Sequence, residues 1–151
     1  MIYLGIDPGK SGGIAIVGDG KCHAFKMPDT DFDIFEAITE AGASMVILEK
    51  VHSSPQMGVV SAFKFGASFG ALKMACVAAR CRVELVSPQK WQKAMSLKAI
   101  GKGIGQGDTA KKNRNKAKAQ ELFPQVKKIT HATADALLLA EYGRRTFGGE
   151  I

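Results

Sequence analysis

The sequence predicts an α/β domain whose five-stranded mixed sheet has three antiparallel strands followed by two parallel ones, with helices flanking the sheet. Short apolar runs bounded by Gly, Pro and Asp fill the first part of the chain, and helical patterns separate the later runs. The length of 151 residues suits one domain with a genuine core. We therefore expect a single unit over residues 1–151.

The first three strands form an antiparallel meander. Ile2–Ile6 is a short apolar run that is followed by turn residues, and Gly13–Val17 is the second strand. The sequence Gly18-Asp19-Gly20 is typical of a tight hairpin turn and leads into the third strand, Lys21–Met27. Three consecutive strands joined by such short turns must pair antiparallel.

Helices separate the next two strands. An amphipathic helix with Asp31 as its N-cap runs to about Ala41. Met45–Leu48 is apolar throughout, which is typical of a strand covered on both faces. The longest helical stretch runs from Pro55 to about Arg80, and Val83–Val86 is the fifth strand. Strands reached through helices are parallel, which makes the sheet mixed.

The last part of the chain is helical. The predicted helices are Gln89–Met95, a basic helix from Asp108 or Thr109 to about Leu122, and a final helix from about Ala132 to Arg145. Residues 98–107 contain four glycines, so we expect a mobile loop there. Trp91 in the first of these helices is expected to be a core residue rather than a platform for stacking bases.

Small residues recur every four positions in the longest helix, at Gly58, Ala62, Gly66 and Gly70. Such a stripe lets another backbone approach closely. Two readings remain open: the helix packs tightly onto the sheet of its own chain, or the stripe lies in a dimer interface.

Cysteine content and hydropathy indicate an intracellular, cytoplasmic protein. The three cysteines form no C-x-x-C pair, which argues against a disulfide framework or a zinc ribbon. No apolar signal segment is present at the N-terminus, and no uncharged run approaches the roughly 18 residues of a membrane span. We therefore expect no membrane partner.

Positive charge is concentrated in one segment. Residues 88–118 contain nine Lys or Arg residues and one acidic residue, while the remainder of the chain is close to neutral. A concentrated excess of this kind indicates a surface that binds a polyanion such as nucleic acid. The alternative is a solvated, lysine-rich loop and helix face.

Three carboxylates fall in apolar surroundings. Asp7 and Glu49 each end an apolar strand, and Asp135 lies within the apolar pattern of the last helix. Burying a charge is unfavourable unless it is paired or binds a metal. Each also has an ordinary explanation: Asp7 could cap the following turn, Glu49 could pair with a lysine, and Asp135 could lie on a helix surface.

Taken together, the three carboxylates predict a site for hard divalent cations. Several carboxylates can hold two Mg²⁺ ions about 4 Å apart, and such a pair supports phosphodiester cleavage. Mn²⁺ can substitute for Mg²⁺. His131 lies four residues before Asp135 on the same helix face, so it could be a further ligand or a proton-transfer group, or could simply begin the helix.

Three motifs, in order along the chain, resemble one known family. They are Leu4-Gly5-Ile6-Asp7-Pro8-Gly9, the strand-ending Glu49, and Ala134-Asp135-Ala136-Leu137. Together with Val86-Ser87-Pro88-x-x-Trp91 they are similar to the RuvC-type Holliday junction resolvases of the RNase H-like superfamily. The resemblance spans nearly the whole chain, and the short length is typical of a phage version.

The resemblance implies that Asp7, Glu49, Asp135 and His131 form the catalytic and metal-binding set for two Mg²⁺ ions. The family's fourth ligand usually stands three residues before the last Asp, where this chain has Ala132. His131 lies one residue earlier. The resemblance also implies a homodimer that acts on four-way DNA.

The resemblance also implies a set of DNA-binding residues. His52 stands where bacterial resolvases carry an aromatic residue that stacks at the junction centre, and the basic helix lies near the scissile phosphate. The predicted DNA-binding residues are His52, Lys98, Lys102, Lys111, Lys112, Arg114, Lys116 and Lys118. One lysine of the basic helix could stabilise transition-state charge, and the sequence does not select which.

We therefore predict a Mg²⁺-dependent endonuclease that cuts four-way or branched DNA by paired symmetric nicks. One alternative is another RNase H-like nuclease that cuts flaps, RNA–DNA hybrids or RNA. A second is a branched-DNA-binding protein without catalytic activity. An actin-like nucleotide-binding domain is disfavoured, because it would need a partner lobe to enclose ATP.

Overall fold

The computed structural model describes residues 1–100 and 107–149, which form five strands and five helices. The strands are β1 (Tyr3–Asp7), β2 (Gly13–Gly18), β3 (Lys21–Lys26), β4 (Met45–Glu49) and β5 (Arg82–Val86). The helices are α1 (Asp31–Ala41), α2 (Val59–Ala78), α3 (Pro88–Ala94), α4 (Gly107–Leu122) and α5 (His131–Phe147). The order of elements is the one that the sequence predicts.

The strands form one mixed sheet in the order β3-β2-β1-β4-β5. β1, β2 and β3 pair antiparallel, whereas β4 pairs parallel with both β1 and β5. The β2–β3 hairpin turns at Asp19 and Gly20, whose φ values of 49° and 77° suit the Asp-Gly pair found in tight hairpins. The predicted mixed sheet is confirmed.

The two faces of the sheet carry separate halves of the core. Because side chains alternate along a strand, β1 directs Leu4 and Ile6 to one face, where they pack with residues of α1 and α2. Tyr3 lies on the other face with Ile47, under α5 and α3. The layers are therefore helix, sheet and helix, with α5 in closest contact with β1.

Two predicted helix starts are wrong. Thr30, rather than Asp31, is the N-cap of α1, because its hydroxyl accepts a hydrogen bond from the backbone N–H of Asp33 at 3.1 Å. Helix α2 begins at Val59 rather than at Pro55, since the preceding residues form a turn and Gly58 has extended backbone.

Of the two readings left open for the α2 glycines, the structure does not support tight packing onto their own sheet. A Cβ atom added at Gly58, Gly66 or Gly70 would meet no atom within 4 Å. Only Leu72 and Cys76 of this helix are buried. These three glycines therefore make no close contact with the described part of the chain, and the dimer reading stays a prediction.

Helix α2 is also the one helix within residues 1–100 and 107–149 that is long and apolar enough to cross a membrane by length and composition. Core helices of soluble proteins and signal sequences meet the same criterion. Lys64 and Lys73 divide the helix, so the expectation that it has no long uncharged run holds.

The glycine-rich loop predicted at residues 98–107 lies mostly outside the described residues, as does Lys102.

Candidate metal centre

Asp7 and Glu49 end two neighbouring parallel strands. The register of β1 and β4 pairs Ile6 with Leu48, so the next residue of each strand is a carboxylate at the same edge of the sheet. Alternation along the strands directs both carboxylates to the face covered by α5. Both are half-buried there.

Two glycines bring α5 close to these strands. A Cβ atom at Gly5 would lie 2.0 Å from the backbone oxygen of Ala136, and one at Gly13 would lie 2.4 Å from that of Ala132. No side chain fits at such distances, so both positions require glycine. The close approach brings the half-buried Asp135 to the same edge as Asp7 and Glu49.

Electrostatics show that the three carboxylates are neighbours. Burial is the main cause that raises the pKa of Asp7 from 3.8 to about 8, and the charges of Asp135 and Glu49 raise it further. Burial likewise raises the pKa of Glu49 from 4.5 to about 7, with Asp135 adding to the effect. Burial also raises the pKa of Asp135. A cation between them would relieve both effects.

Two of the carboxylates accept hydrogen bonds from neutral side chains. The indole Nε1–H of Trp91 donates to Glu49 Oε2 at 2.6 Å, and the amide Nδ2 of Asn115 donates to Asp135 Oδ1 at 2.8 Å. Trp91 is a fully buried core residue, as expected. Its polar contact with Glu49 was not predicted.

His131 is exposed at the first position of α5. Its Nε2 lies 3.0 Å from Oδ1 of Asn113 on α4. The charge of His131 lowers the pKa of Asp135, which places the imidazole near that carboxylate. Thr130 and Thr133 cap the helix reciprocally, so its start does not depend on the His131 side chain.

The predicted DNA-binding cations differ in their surroundings. Lys112 of α4 is exposed and lowers the pKa of both Asp7 and Asp135, so it lies near the carboxylates. Lys98 and Lys111 are exposed, and Lys116 is half-buried. Lys118 pairs with Glu121 at 3.4 Å.

Arg114 is bound mainly within the protein. Its guanidinium donates to the carbonyl oxygen of Lys98, to Gln92 and, through two nitrogens, to Oδ1 of Asn115. This geometry favours a structural role for Arg114 over a direct contact with DNA, and its predicted role stays a prediction.

His52 is exposed beside the site, three residues beyond Glu49. It lines a cavity of about 190 Å³ together with Phe65 and Phe69 of α2. The cavity lies between the loop after β4 and α2. This position agrees with a contact to a substrate bound at the carboxylates, which stays a prediction.

The donor set suits Mg²⁺ or Mn²⁺, because it consists of carboxylate oxygens with one imidazole nearby. As they are arranged here, no three His, Cys, Asp or Glu side chains in the described ranges stand close enough to enclose a metal ion. The carboxylates are near enough to raise one another's pKa but are not gathered around one point.

The sequence analysis missed Asn113 and Asn115. Asn115 is 4% exposed and lies one turn before the buried Ala119, so it is a polar residue on the packed face of a basic helix. That position is a signal that sequence reasoning could have used, because a buried amide needs a hydrogen-bond partner.

Comparison with known proteins finds similar structures but no similar sequences. No protein-family model matches this sequence, and no curated protein sequence is significantly similar to it. The structure is similar to that of Thermus thermophilus RuvC in complex with a Holliday junction substrate, with a TM-score of 0.67, 20% identity, and coverage of 97% of this chain and 96% of that one. A second T. thermophilus RuvC structure gives a TM-score of 0.62, 19% identity and 96% coverage of both chains. The chain has the RuvC-type, RNase H-like fold that its motifs predict.

Proposed function

We propose that this protein is a divalent-metal-dependent endonuclease that cuts four-way or branched DNA by paired symmetric nicks. The observation that carries the proposal is the group of Asp7, Glu49 and Asp135 at one sheet edge. Burial raises the pKa of all three carboxyls, and the charge of Asp135 raises the pKa of Asp7 and of Glu49 further. Keeping such a cluster is unfavourable for the fold alone, and a divalent cation would offset that effect.

The basic helix α4 supports a polyanionic substrate. It lies against α5, and its Lys112 is near enough to act on Asp7 and Asp135. An exposed ammonium beside the carboxylates could contact a phosphate held there and stabilise the charge that develops on it. Lys112 is therefore our choice for the lysine that the sequence alone could not select.

Two metal ions held by Asp7, Glu49 and Asp135 would activate water and stabilise the leaving oxygen. Three elements of the fold position these carboxylates. β1 and β4 hold two of the carboxylates on one sheet edge, and α5 brings the third. His131 is exposed, and its charge lowers the pKa of Asp135, which supports a role as a further ligand or as a group that exchanges a proton with solvent.

A homodimer is part of the proposal, with α2 as the contact. Its exposed apolar residues recur at spacings of three and four, the pattern of a helix–helix seam. The seam comprises Val59, Phe63, Met74 and Val77, which are 59–87% exposed, with Gly66 and Gly70 completing the spacing between them. Val60, which is 67% exposed, lies beside this seam. Contiguous exposed apolar surface of this kind marks an interaction site. Two copies would place two sites on one branched substrate.

The test compares cleavage and binding in matched variants. Asp7→Asn and Glu49→Gln keep the size of each side chain and remove its charge, so we expect cleavage of a synthetic four-way junction to fall about 10³-fold or more. Binding of the junction in EDTA should change little, because phosphate contacts come from the basic segment. Cleavage is measured by denaturing gels and binding by fluorescence anisotropy.

Glu36→Gln is the matched control, because Glu36 is an exposed acid on α1, on the opposite face of the sheet. It should cut at the wild-type rate. Full cleavage activity in Asp7→Asn or Glu49→Gln would rule out the assignment of these residues. Binding without any cleavage by the wild type, in Mg²⁺ or Mn²⁺, would instead favour a DNA-binding protein without catalytic activity.

A further inference from the structure

Two carboxylates of the candidate centre each receive one hydrogen bond from a buried, neutral side chain. Trp91 is fully buried and donates to Oε2 of Glu49 at 2.6 Å. Asn115 is 4% exposed and donates to Oδ1 of Asp135 at 2.8 Å. The donors come from α3 and α4, which lie outside the three elements that carry the carboxylates.

The orientation of the Asn115 amide is determined by Arg114. Nε and Nη2 of the guanidinium donate to Oδ1 of Asn115 at 3.0 and 2.9 Å. Because a guanidinium only donates, the amide oxygen must face it, and the amide NH₂ must face Asp135. Arg114 is in turn fixed by the carbonyl oxygen of Lys98 at 2.5 Å. The amide is therefore oriented before any ligand binds.

A second buried carboxylate on α5 shows a contrasting arrangement. Glu141 pairs with Arg144 at 2.8 Å and with Arg145 at 2.7 Å, and these hydrogen bonds outweigh burial and lower its pKa. Its charge is thus neutralised by cations of its own helix. Asp135 instead accepts its hydrogen bond from the neutral amide of Asn115. The charges of Arg114, His131 and Lys112 lower its pKa, but burial outweighs them and the pKa stays raised.

We propose that Trp91 and Asn115 are positioning residues for the metal centre, each of which fixes one carboxylate oxygen and leaves the other to a divalent cation. The inference rests on the proposed function. A neutral donor satisfies one oxygen and orients the carboxylate, but it leaves the negative charge in place to attract a cation. A cation at the same position would compete with the metal ion.

Arg114 and Lys112, two basic residues of α4, have different surroundings. Arg114 donates to the Asn115 side chain that in turn donates to Asp135, whereas Lys112 is exposed. The charges of both lower the pKa of Asp135, and that of Lys112 also lowers the pKa of Asp7. Loss of the Asn115 amide removes the donor to Asp135 and frees two guanidinium donors beside that carboxylate. The expected result is a centre with less affinity for divalent cations.

The experiment measures Mn²⁺ binding to the full chain without DNA, by the electron paramagnetic resonance signal of free Mn²⁺. Trp91→Phe keeps an aromatic ring and removes the N–H, and Asn115→Leu keeps the volume and removes the amide. We expect each variant to bind Mn²⁺ about 10-fold to 100-fold more weakly than the wild type. Junction cleavage should recover largely at saturating Mn²⁺, because the variants weaken metal binding rather than remove a ligand.

Phe123→Leu is the matched control, because Phe123 is buried in the same core cluster as Trp91 and makes no hydrogen bond to a carboxylate. It should bind Mn²⁺ within about twofold of the wild type even though it loses stability. Asn115→Ala replaces Asn115→Leu if circular dichroism shows that the latter does not fold.

Tryptophan fluorescence gives a second measurement of metal binding at the centre. Trp91 is the single tryptophan of the chain, so its fluorescence reports on the contact with Glu49. We expect added Mg²⁺ to change this fluorescence in the wild type, and to change it much less in Asp7→Asn.

The outcomes separate the two proposals. If the wild type binds Mn²⁺ and cuts junctions while both variants bind Mn²⁺ as tightly as Phe123→Leu, the positioning roles are wrong and the proposed function stands. If the wild type binds no Mn²⁺ and cuts no DNA, both proposals are wrong.

Discussion

At the scale of single residues, the candidate centre is a place where the chain keeps carboxylates that destabilise the fold. Asp7 and Glu49 lie beneath α5, and burial raises the pKa of Asp7 to about 8 and of Glu49 to about 7. A carboxyl whose pKa is higher in the folded state binds more protons there than in the unfolded chain. Ionising these groups therefore opposes folding.

The first prediction follows for metal-free protein. The free energy of unfolding should be highest near pH 4 to 5 and should fall as pH rises through about 8, the window between the ordinary and the raised pKa values of Asp7 and Glu49. Glu141 does not mask the effect, since its lowered pKa acts below 4.5. Urea unfolding in EDTA at pH 5 and pH 8.5 measures the difference.

Asp7→Asn is the control for this pH dependence. The variant cannot ionise at residue 7, so its stability should vary less between the two pH values and should exceed that of the wild type at pH 8.5. Added Mg²⁺ should stabilise the wild type at pH 8.5, because binding to the folded state raises its stability. If the wild type in EDTA is more stable at pH 8.5 than at pH 5, the raised pKa values of Asp7 and Glu49 are wrong.

At the scale of elements, the closeness of α5 to β1 determines whether Asp135 reaches Asp7. Gly5 faces the α5 backbone at residues 136 and 140, where an added Cβ would lie 2.0 and 2.5 Å from backbone atoms. A methyl group at this position cannot be accommodated by moving a side chain. The helix itself must shift away from the strand.

The second prediction concerns this contact. Gly5→Ala should lower the free energy of unfolding by about 1–3 kcal/mol, the usual effect of overpacking, and should weaken Mn²⁺ binding as Asp135 moves away from Asp7. Gly107→Ala is the control, since a Cβ there meets nothing within 4 Å among residues 1–100 and 107–149. Thermal unfolding and Mn²⁺ binding of both variants check it. An unchanged Mn²⁺ affinity in a folded Gly5→Ala variant would show that the helix contact does not position Asp135.

Much of this architecture follows from local sequence. A strand that is apolar throughout and then ends in an acid, as at Asp7 and Glu49, restricts where that acid can lie in an α/β sheet. The local sequence therefore predicts the mixed sheet and the three carboxylates. Only the bounds of α1 and α2 differed appreciably, since Thr30 rather than Asp31 caps α1.

The hydrogen bonds around the centre could not be predicted in the same way. Trp91 lies 42 residues from Glu49, and Asn115 lies 20 from Asp135. Such contacts depend on how α3 and α4 dock, which no local periodicity encodes. Likewise, the composition of α2 indicates an apolar surface but not which partner covers it.

At the scale of the whole molecule, two surface regions differ in their chemistry. The basic helix α4 lies against α5, with Lys112 near the carboxylates, whereas the apolar surface of α2 is exposed. A nuclease that makes paired nicks needs both: one region to hold a phosphate backbone, and another to join two active sites.

The third prediction concerns assembly through α2. We expect light scattering to give twice the monomer mass for the wild type. Phe63→Asp should give the monomer mass, because Phe63 is 78% exposed in the apolar stripe and a charge cannot be buried in a seam. Phe32→Asp changes another exposed phenylalanine, on α1, and should stay dimeric. A monomeric wild type, or a dimeric Phe63→Asp, would overturn the role of α2.

The central claim is tested most directly by cleavage of a panel of synthetic DNA substrates. The panel comprises a four-way junction, a flap, an RNA–DNA hybrid and a linear duplex, each with Mg²⁺ or EDTA. We predict paired nicks at symmetric positions in opposing strands of the junction, dependent on Mg²⁺, with little cutting of the linear duplex. No nicking of the junction in Mg²⁺ or Mn²⁺, or equal cutting of the linear duplex, would contradict the account.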